Sequence, residues 1–236
     1  MAGREKGGFW VAVAAVMFYP LTWIARQIYR SAERVPREGG ALLAFNHVSH
    51  LDPVTDAVFV HRQKRVPRFM AKDSLIKVPL LGRALVGSGG IPVYRGTNSA
   101  GDSLKDAHKA LREGKVVVIY PEGTITRDPD GWLKNSYTGV ARLALEDDVP
   151  VIPIARWGTN YILDGYRKKF RPLPRKSVTF LVGDPVDLSA YRDLPQTSAV
   201  LREVTDLIMA DVLALLAEIR GEQPPAKERA GKENGA

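Results

Sequence analysis

Cysteine is absent from the 236-residue chain, which excludes a disulfide scaffold, thiolate metal sites and a cysteine nucleophile. Neither Gly-Lys pair is followed by Ser or Thr, no Gly-x-Gly-x-x-Gly occurs, and no Ser sits in a Gly-x-Ser-x-Gly elbow. Those absences remove the common phosphate-loop, dinucleotide and serine-hydrolase signatures. There is no internal repeat. The remaining composition, 45% hydrophobic and 25% charged, is that of an ordinary globular domain with one sizeable core. Lys and Arg number 34 against 26 Asp and Glu, a formal net charge of +8. Such an excess points to an anionic partner: phosphorylated substrate, nucleic acid or membrane surface.

Residues 221–236 hold three acids, three bases and almost no bulky apolar side chain, the composition of a disordered tail. The excess charge therefore belongs to the body, where two segments concentrate it. Residues 61–72 carry Arg62, Lys64, Arg65, Arg68 and Lys72 without an acid, and residues 166–176 carry six bases without an acid. Both are interleaved with apolar residues, including Phe69, Met70, Phe170 and Leu173, and both are expected to face anionic lipid. Ahead of them, residues 7–25 are uncharged and rich in Phe, Trp, Val and Leu. A helix of that length reaches about 28 Å, at the lower limit for crossing a bilayer. Pro20 within it, the flanking Tyr19 and Trp residues, and Arg26, Arg30 and Arg34 beyond it favour an interfacial or re-entrant anchor. A core helix of the domain is the alternative. A signal peptide is disfavoured because the apolar run ends in Tyr-Pro-Leu-Thr-Trp. The chain thus divides into an anchor, residues 1–34, a domain, residues 35–220, and a tail, residues 221–236.

Short apolar runs at 41–45, 91–94, 116–120, 151–155 and 178–182 are expected to be buried strands. Helical patterns fall at 102–113, 140–145 and 200–219, the first with Leu104, Ala107, His108 and Leu111 on one face. Alternating strands and helices predict an α/β domain with a mainly parallel central sheet covered by helices on both faces.

Polar residues crowd the end of the first of these runs in Asn46-His47-Val48-Ser49-His50-Leu51-Asp52-Pro53, where loops of an α/β sheet build sites. On a continuous helix His47 and Asp52 would point about 140° apart, so a loop must separate them if they pair. Asp52 before Pro53 also suits a helix start. Two readings stand side by side: a helix cap, or a carboxylate that orients His47 as a general base. Without Cys or a Ser elbow, direct attack by an alcohol beside the histidine is favoured over a covalent intermediate. Tyr120-Pro121-Glu122-Gly123-Thr124 follows another strand, and its Gly allows close backbone approach to a ligand. Glu122 beside a phosphate would be repulsive, so it is expected to accept from a substrate hydroxyl or pair with Arg95 or Arg127. Arg95 offers a fork suited to phosphate.

Asn46-His47 to Asp52 resembles the first signature of the glycerolipid acyltransferase family, which includes 1-acylglycerol-3-phosphate O-acyltransferase. The segment from Gly90 through Ile91-Pro92-Val93 to Tyr94-Arg95 resembles the second block, with Val93 at the usual aromatic position. Tyr120 to Thr124 resembles the third block, and Val149-Pro150-Val151-Ile152-Pro153-Ile154 the fourth. Four ordered blocks across residues 35–157 make the resemblance specific, and the longer strings around them look most like the actinobacterial branch. The resemblance implies transfer of a fatty acyl group from acyl-coenzyme A or acyl carrier protein to the free hydroxyl of 1-acylglycerol 3-phosphate, giving phosphatidic acid. It assigns His47 as base and Asp52 as its orienting carboxylate. Arg95, Glu122, Gly123, Thr124, Arg127 and Lys72 would hold the acceptor. No metal or bound cofactor is implied. The partners would be a lysophospholipid, the acyl thioester and an anionic membrane, with the chain on the cytoplasmic face of the cell membrane.

The chain departs from the family where Arg usually follows Glu-Gly-Thr: Ile125 and Thr126 stand there, with Arg127 one place beyond. Either Arg127, Arg95 or Lys72 substitutes, or the acceptor differs, so a different lysolipid or glycerol 3-phosphate remains an alternative. A metal-dependent hydrolase using His47, His50 and Asp52 is the rival of another class, and a non-enzymatic membrane-binding module is the third. Nucleic-acid binding is disfavoured because the basic runs form no recognisable module.

Overall fold

Strands covered on both faces must be apolar throughout, and the central strands are. β2 (Ala41–Phe45) and β5 (Val116–Ile119) are buried at every position. Leu42, Ala44, Val117 and Ile119 join one core layer, while Leu43, Phe45, Val116 and Val118 join the other. The first layer is closed by α5 (Ala100–Arg112), α6 (Gly139–Glu146) and α8 (Ser198–Arg220), through Ala107, Leu111, Val140, Leu143, Leu201 and Ile208. The second is closed by α2 (Asp52–Arg62) and α7 (Thr159–Ile162), through Phe59, Val60 and Ile162. This computed structural model describes residues 5, 7–79, 81–93, 100–165 and 167–225.

β1 (Ala25–Arg30), β3 (Pro67–Lys72), β4 (Ile91–Val93), β6 (Val151–Trp157) and β7 (Lys176–Val182) complete a seven-stranded sheet in the order β1-β7-β6-β2-β5-β3-β4. Neighbours are parallel except β6 and β7, so β1 and β7 run against the other five. The C-terminal ends of β2, β3, β4, β5 and β6 and the starts of β1 and β7 therefore share one edge of the sheet. The expected mainly parallel α/β sheet, covered on both faces, is present.

Three expectations need correction. Residues 25–34, assigned above to the anchor, are β1 and a short helical turn (Ala32–Arg34) built onto the sheet. The four-residue spacing of Arg26, Arg30 and Arg34 mimics a helix, but β1 is a half-exposed edge strand with no apolar run to announce it. The preceding helix, α1 (Phe9–Thr22), has 14 residues, about 21 Å at 1.5 Å per residue. Among the described residues no helix is long and apolar enough to cross a membrane. Pro20 sits in the last turn of α1 without ending it. One side of α1 packs on α2 and α4 (Leu81–Gly87), while Phe9, Val16 and Leu21 stay exposed, so it is not a core helix either.

The basic run at 61–72 is the third correction. It contains β3, and Arg65 and Arg68 are drawn into the protein while Arg62, Lys64 and Lys72 stay exposed. The Arg62 guanidinium lies over the rings of Tyr19 and Tyr29, and Arg68 pairs with Glu5 at 2.9 Å. Arg65 is only 2% exposed and donates to the carbonyls of Pro36, Gly39 and Gly114 at 2.7, 2.7 and 2.8 Å. It staples the entries to β2, β3 and β5, at the sheet edge opposite the loop that follows β2. Its fork suits three fixed acceptors better than a lysine would. The second run, residues 167–175, remains exposed. The expected tail lies outside the described residues beyond 225.

Replacing Arg65 by Met removes the donors to three backbone carbonyls and the partner of Glu5, each bond worth about 1 kcal/mol. Urea unfolding should show Arg65→Met destabilised by about 3 kcal/mol, with Arg65→Lys intermediate. A loss below about 1 kcal/mol would reject the staple.

Candidate active site

Where β2 ends, Asn46 continues the pairing with its side chain. Its amide donates to the Arg156 carbonyl at 2.9 Å and its oxygen accepts from the Arg156 N–H at 2.8 Å. This splices β2 to β6 at the edge and turns the chain into the loop that presents His47. The predicted loop between His47 and Asp52 exists, and Asp52 is the first residue of α2. Nδ1 of His47 lies 2.8 Å from Asp52 Oδ2. The same oxygen accepts from the N–H groups of Val48 and Ser49 at 2.7 Å each. These bonds run back to the loop rather than forward to the helix amides, so Asp52 orients the histidine instead of capping the helix. Oδ1 accepts from the Thr159 hydroxyl at 2.6 Å and pairs with Arg156 Nη1.

Asp52 is fully buried. Burial alone would raise its carboxyl, but Arg156 and then His47 hold it below the ordinary carboxylate range. An ionised carboxylate has no proton to donate, so Nδ1 of His47 carries the shared hydrogen, and in the neutral imidazole the lone pair lies on Nε2. The His47 side chain is 14% exposed, enough to meet a substrate atom.

Arg156 is completely buried, and each of its three side-chain nitrogens donates to the protein. Nε donates to Asp56 Oδ1 at 2.8 Å, Nη2 to the Asn46 carbonyl at 2.7 Å, and Nη1 to the Thr159 hydroxyl at 3.1 Å. Despite burial, Asp52 and Asp56 raise its proton affinity further. The Tyr120 hydroxyl donates to Asp56 Oδ2 at 2.6 Å, while its ring stacks on His47 with centroids 4.3 Å apart and planes 17° from parallel. Burial, reinforced by Asp52 and opposed by Arg156, pushes the Asp56 carboxyl up to about 6. Burial, reinforced by Asp56, raises the Tyr120 hydroxyl well above its ordinary range, so it remains a donor.

Glu122 lies in the same knot. Oε1 accepts from the His47 N–H at 3.1 Å and Oε2 from the Lys134 N–H at 3.3 Å. It thus pins the catalytic loop to the segment after the third block. Burial pushes its carboxyl up to about 7, against the pull of those two N–H groups. Gly123 has φ +68°, a turn that only glycine adopts without strain, and its N–H donates to the Tyr120 carbonyl at 2.8 Å. The Thr126 N–H returns to the His47 carbonyl at 2.8 Å. Thr124 and Arg127 are exposed on this turn, and Lys72 is exposed at the end of β3 on the same sheet edge. Arg95 lies outside the described residues.

The geometry brings His47, Asp52 and Glu122 together and adds Asp56, Tyr120, Arg156 and Thr159, for which no sequence motif assigns a role. Asp56 was the most accessible of these, since it follows Asp52 by four residues and shares its helix face. Arg156, an isolated cation ending an apolar strand, carries no local signal of burial. The metal-site alternative finds no support in the arrangement. Asp52 spends both oxygens on protein donors, His50 is exposed, and among the described residues no cluster of three or more His, Asp or Glu is placed to hold a metal ion.

The family model described as Acyltransferase matches residues 26–157, more than half the chain. A 1-acyl-sn-glycerol-3-phosphate acyltransferase of Borreliella burgdorferi is 28% identical over 141 residues, covering 58% of this chain and 54% of that protein. A protein of the same name from Bacillus subtilis is 26% identical over 163 residues, covering 69% and 75%. The chain thus spans about half the length of the Borreliella protein. The crystal structure of the 1-acyl-sn-glycerophosphate acyltransferase from Thermotoga maritima superposes with a TM-score of 0.71 at 22% identity, over 91% of this chain and 81% of that one. That likeness establishes the shared fold.

Glu122 predicts a pH dependence. Its carboxyl rises from an ordinary 4.5 to about 7 on folding, so between those values the folded protein holds a proton that the unfolded chain has lost. Its contribution is fully present below about pH 4.5 and is lost as pH rises through 7, by about 3 kcal/mol at most. Glu122→Gln lacks this term. Urea unfolding should show the variant gaining on the parent by about 1–3 kcal/mol between pH 5 and 8, and a constant difference would reject the assignment.

Proposed function

The chain belongs to the acyltransferase family, and from that membership we propose that it transfers a fatty acyl group from a thioester to the free hydroxyl of 1-acylglycerol 3-phosphate. The observation that carries this reading is His47, with Nδ1 tied to ionised Asp52 and Nε2 free. Nε2 takes the acceptor hydroxyl proton as the oxygen attacks the thioester carbon. The tetrahedral intermediate collapses with cleavage of the carbon–sulfur bond, and the same proton passes from Nε2 to the departing sulfur. The product is phosphatidic acid with a free thiol. Acyl-coenzyme A or acyl carrier protein is consumed as co-substrate, and the step needs no bound cofactor.

A half-open apolar groove between α1, α2, β3 and α4 offers the acyl chain a surface to lie against. Val11, Ala14, Phe18, Val58, Phe69 and Leu85 line it. Phe69 stacks towards Tyr120, which stacks on His47, so the groove abuts the base. Lys72 and Arg127, with Arg95, are the cations offered to the acceptor phosphate. Ile125, at the position where the family resemblance implies Arg, keeps a different lysolipid acceptor as a second reading.

The same sheet edge supports membrane attachment. Trp23, 70% exposed, follows α1, and residues 163–176 project Phe170 and Leu173, 61% and 80% exposed, among Arg167, Lys168, Lys169 and Arg171. β1 and β7 start at the edge where β2 ends, so these groups flank the mouth of the site. Apolar tips among cations suit an anionic bilayer, which would hold the protein against the lipid that it consumes, at the cytoplasmic face of the cell membrane.

Purified protein given acyl-coenzyme A should acylate lysophosphatidate, in a panel that includes glycerol 3-phosphate and uncharged lysolipids. His47→Ala should lower kcat/KM by about 10² to 10⁴-fold. A folded His47→Ala protein with full activity would sink the base assignment, and acylation of another acceptor alone would redirect the substrate. In vesicle co-sedimentation, binding should require anionic lipid, and the Phe170→Ser/Leu173→Ser pair should weaken it about tenfold or more. Unchanged binding would remove that segment from the contact.

A further inference from the structure

His47 rests above a buried set of charges that the acyl-transfer reading does not by itself require. One carboxylate suffices to orient an imidazole. Here two, Asp52 and Asp56, lie one helical turn apart on α2, and both bond Arg156. All three side chains are fully buried. With both acids ionised, the set carries a net charge of minus one. Burying an uncompensated charge is costly, so the extra carboxylate calls for a reason.

The charged and titratable groups facing His47 from its surroundings are few. α2 contributes Asp52 and Asp56, β6 contributes Arg156, and the segment after β5 contributes Tyr120 and Glu122. Asp164 belongs to the segment packed on the catalytic loop through Ser49 and Leu163, and its carboxylate accepts from the Arg167 N–H. His50 points to solvent. Tyr120 is a neutral donor. It ties Asp56 mechanically to the face of the His47 ring, through a hydroxyl bond on one side and the stack on the other.

We propose that Asp56 and Arg156 are positioning residues that, with both acids ionised, set the charge of the buried Asp52–Asp56–Arg156 set beneath His47 at minus one, so that the imidazolium formed during acyl transfer brings that set to neutrality. Arg156 cancels one carboxylate and aligns Asp52, and Asp56 supplies the remaining negative charge. The proton that His47 takes from the acceptor then arrives in a site already balanced to receive it, the preorganised electrostatics that low-dielectric sites reward. The proposal rests on the acyl-transfer reading for its catalytic meaning, but the charge arrangement can be measured without turnover.

Opposite shifts are the signature. Asp56→Asn leaves Asp52 against Arg156, net zero, and disfavours the imidazolium. Arg156→Gln leaves two carboxylates, net minus two, and favours it. In imidazole-labelled protein, with His47→Asn used for assignment, NMR titration should move the His47 midpoint down by about one unit in Asp56→Asn and up by about one unit in Arg156→Gln. The Asp56→Asn/Arg156→Gln pair restores minus one and should return the midpoint close to that of the parent, and Arg156→Lys should leave it in place. The acidic limb of the kcat/KM profile should move in step with these midpoints. If Arg156→Gln fails to fold, Asp56→Asn and the double variant still decide. Midpoints that move together, stay fixed, or fail to return in the double variant would overturn the proposal. If the midpoints shift as expected while the parent transfers no acyl group, the charge arrangement stands and the acyl-transfer reading falls.

Discussion

A guanidinium buried without exposure is tolerated only when its charge and its donors are all met, and Arg156 meets this condition through groups from three elements. Its partners come from the end of β2, the first turn of α2 and the start of α7. Remove Arg156 and two carboxylates are left in the core without their counterpart, a far larger loss than an ion pair's net worth. The geometry of the site is therefore a condition of the fold. His47 is oriented by Asp52, Asp52 is held by Arg156, and Arg156 is held by the splice that Asn46 makes between the strands on which they stand. The functional loop is as rigid as the sheet edge that carries it, which is what a base needs if it is to meet a hydroxyl without reorganising.

The same solution recurs elsewhere in the molecule. Parallel strands end in carbonyls and N–H groups that point along the sheet, and the loops that leave them must satisfy those groups without water. At the opposite edge Arg65 does this for three carbonyls at once. Beside the site, Arg220 at the end of α8 lies 3.8 Å from the Trp132 ring and 4.2 Å from the Trp157 ring, and donates to the Asp130 carbonyl at 2.8 Å. It clamps the segment that follows Thr126 against the end of β6. Three arginines, none of them facing a substrate, thus organise both edges of one sheet, while alternating aliphatic residues organise its faces.

This division explains what could be read in the chain. The faces follow local periodicity, so β2, β5, β6 and α8 were recognisable within a residue or three at each end. His47 and Asp52 were recognisable because they lie on one short loop. β1 and β3 were not, because an edge strand and a strand opening on Pro67 need no apolar run: Phe69 is the only fully inward side chain of β3. Arg65 and Arg156 were not, because a cation's burial depends on acceptors that are distant in sequence. Arg65 reaches Gly114 across 49 positions and Arg156 reaches Asp56 across 100. Composition treats every cation alike, and no window on the sequence separates these two from Arg167 or Lys169.

The net charge of +8 takes on a different meaning once its carriers are placed. Arg65 and Arg156 are internal, Arg62 and Arg68 are engaged by rings and by Glu5, and Arg220 is sandwiched between indoles. One acid-free cluster of exposed cations, within residues 167–176, lies beside the mouth of the site and the exposed Trp23, on the sheet edge that also carries Lys72 and Arg127. An attraction distributed over the whole surface would bind lipid in any orientation. Concentrated at one edge, and joined to the apolar tips Phe170 and Leu173, it would, in the proposed membrane attachment, select the orientation in which the open side of His47 faces the bilayer. In the proposed reaction, that constraint confines an amphipathic acceptor to approach headgroup-first along the membrane plane, so part of the positioning of the attacking hydroxyl is supplied by the surface on which the protein rests.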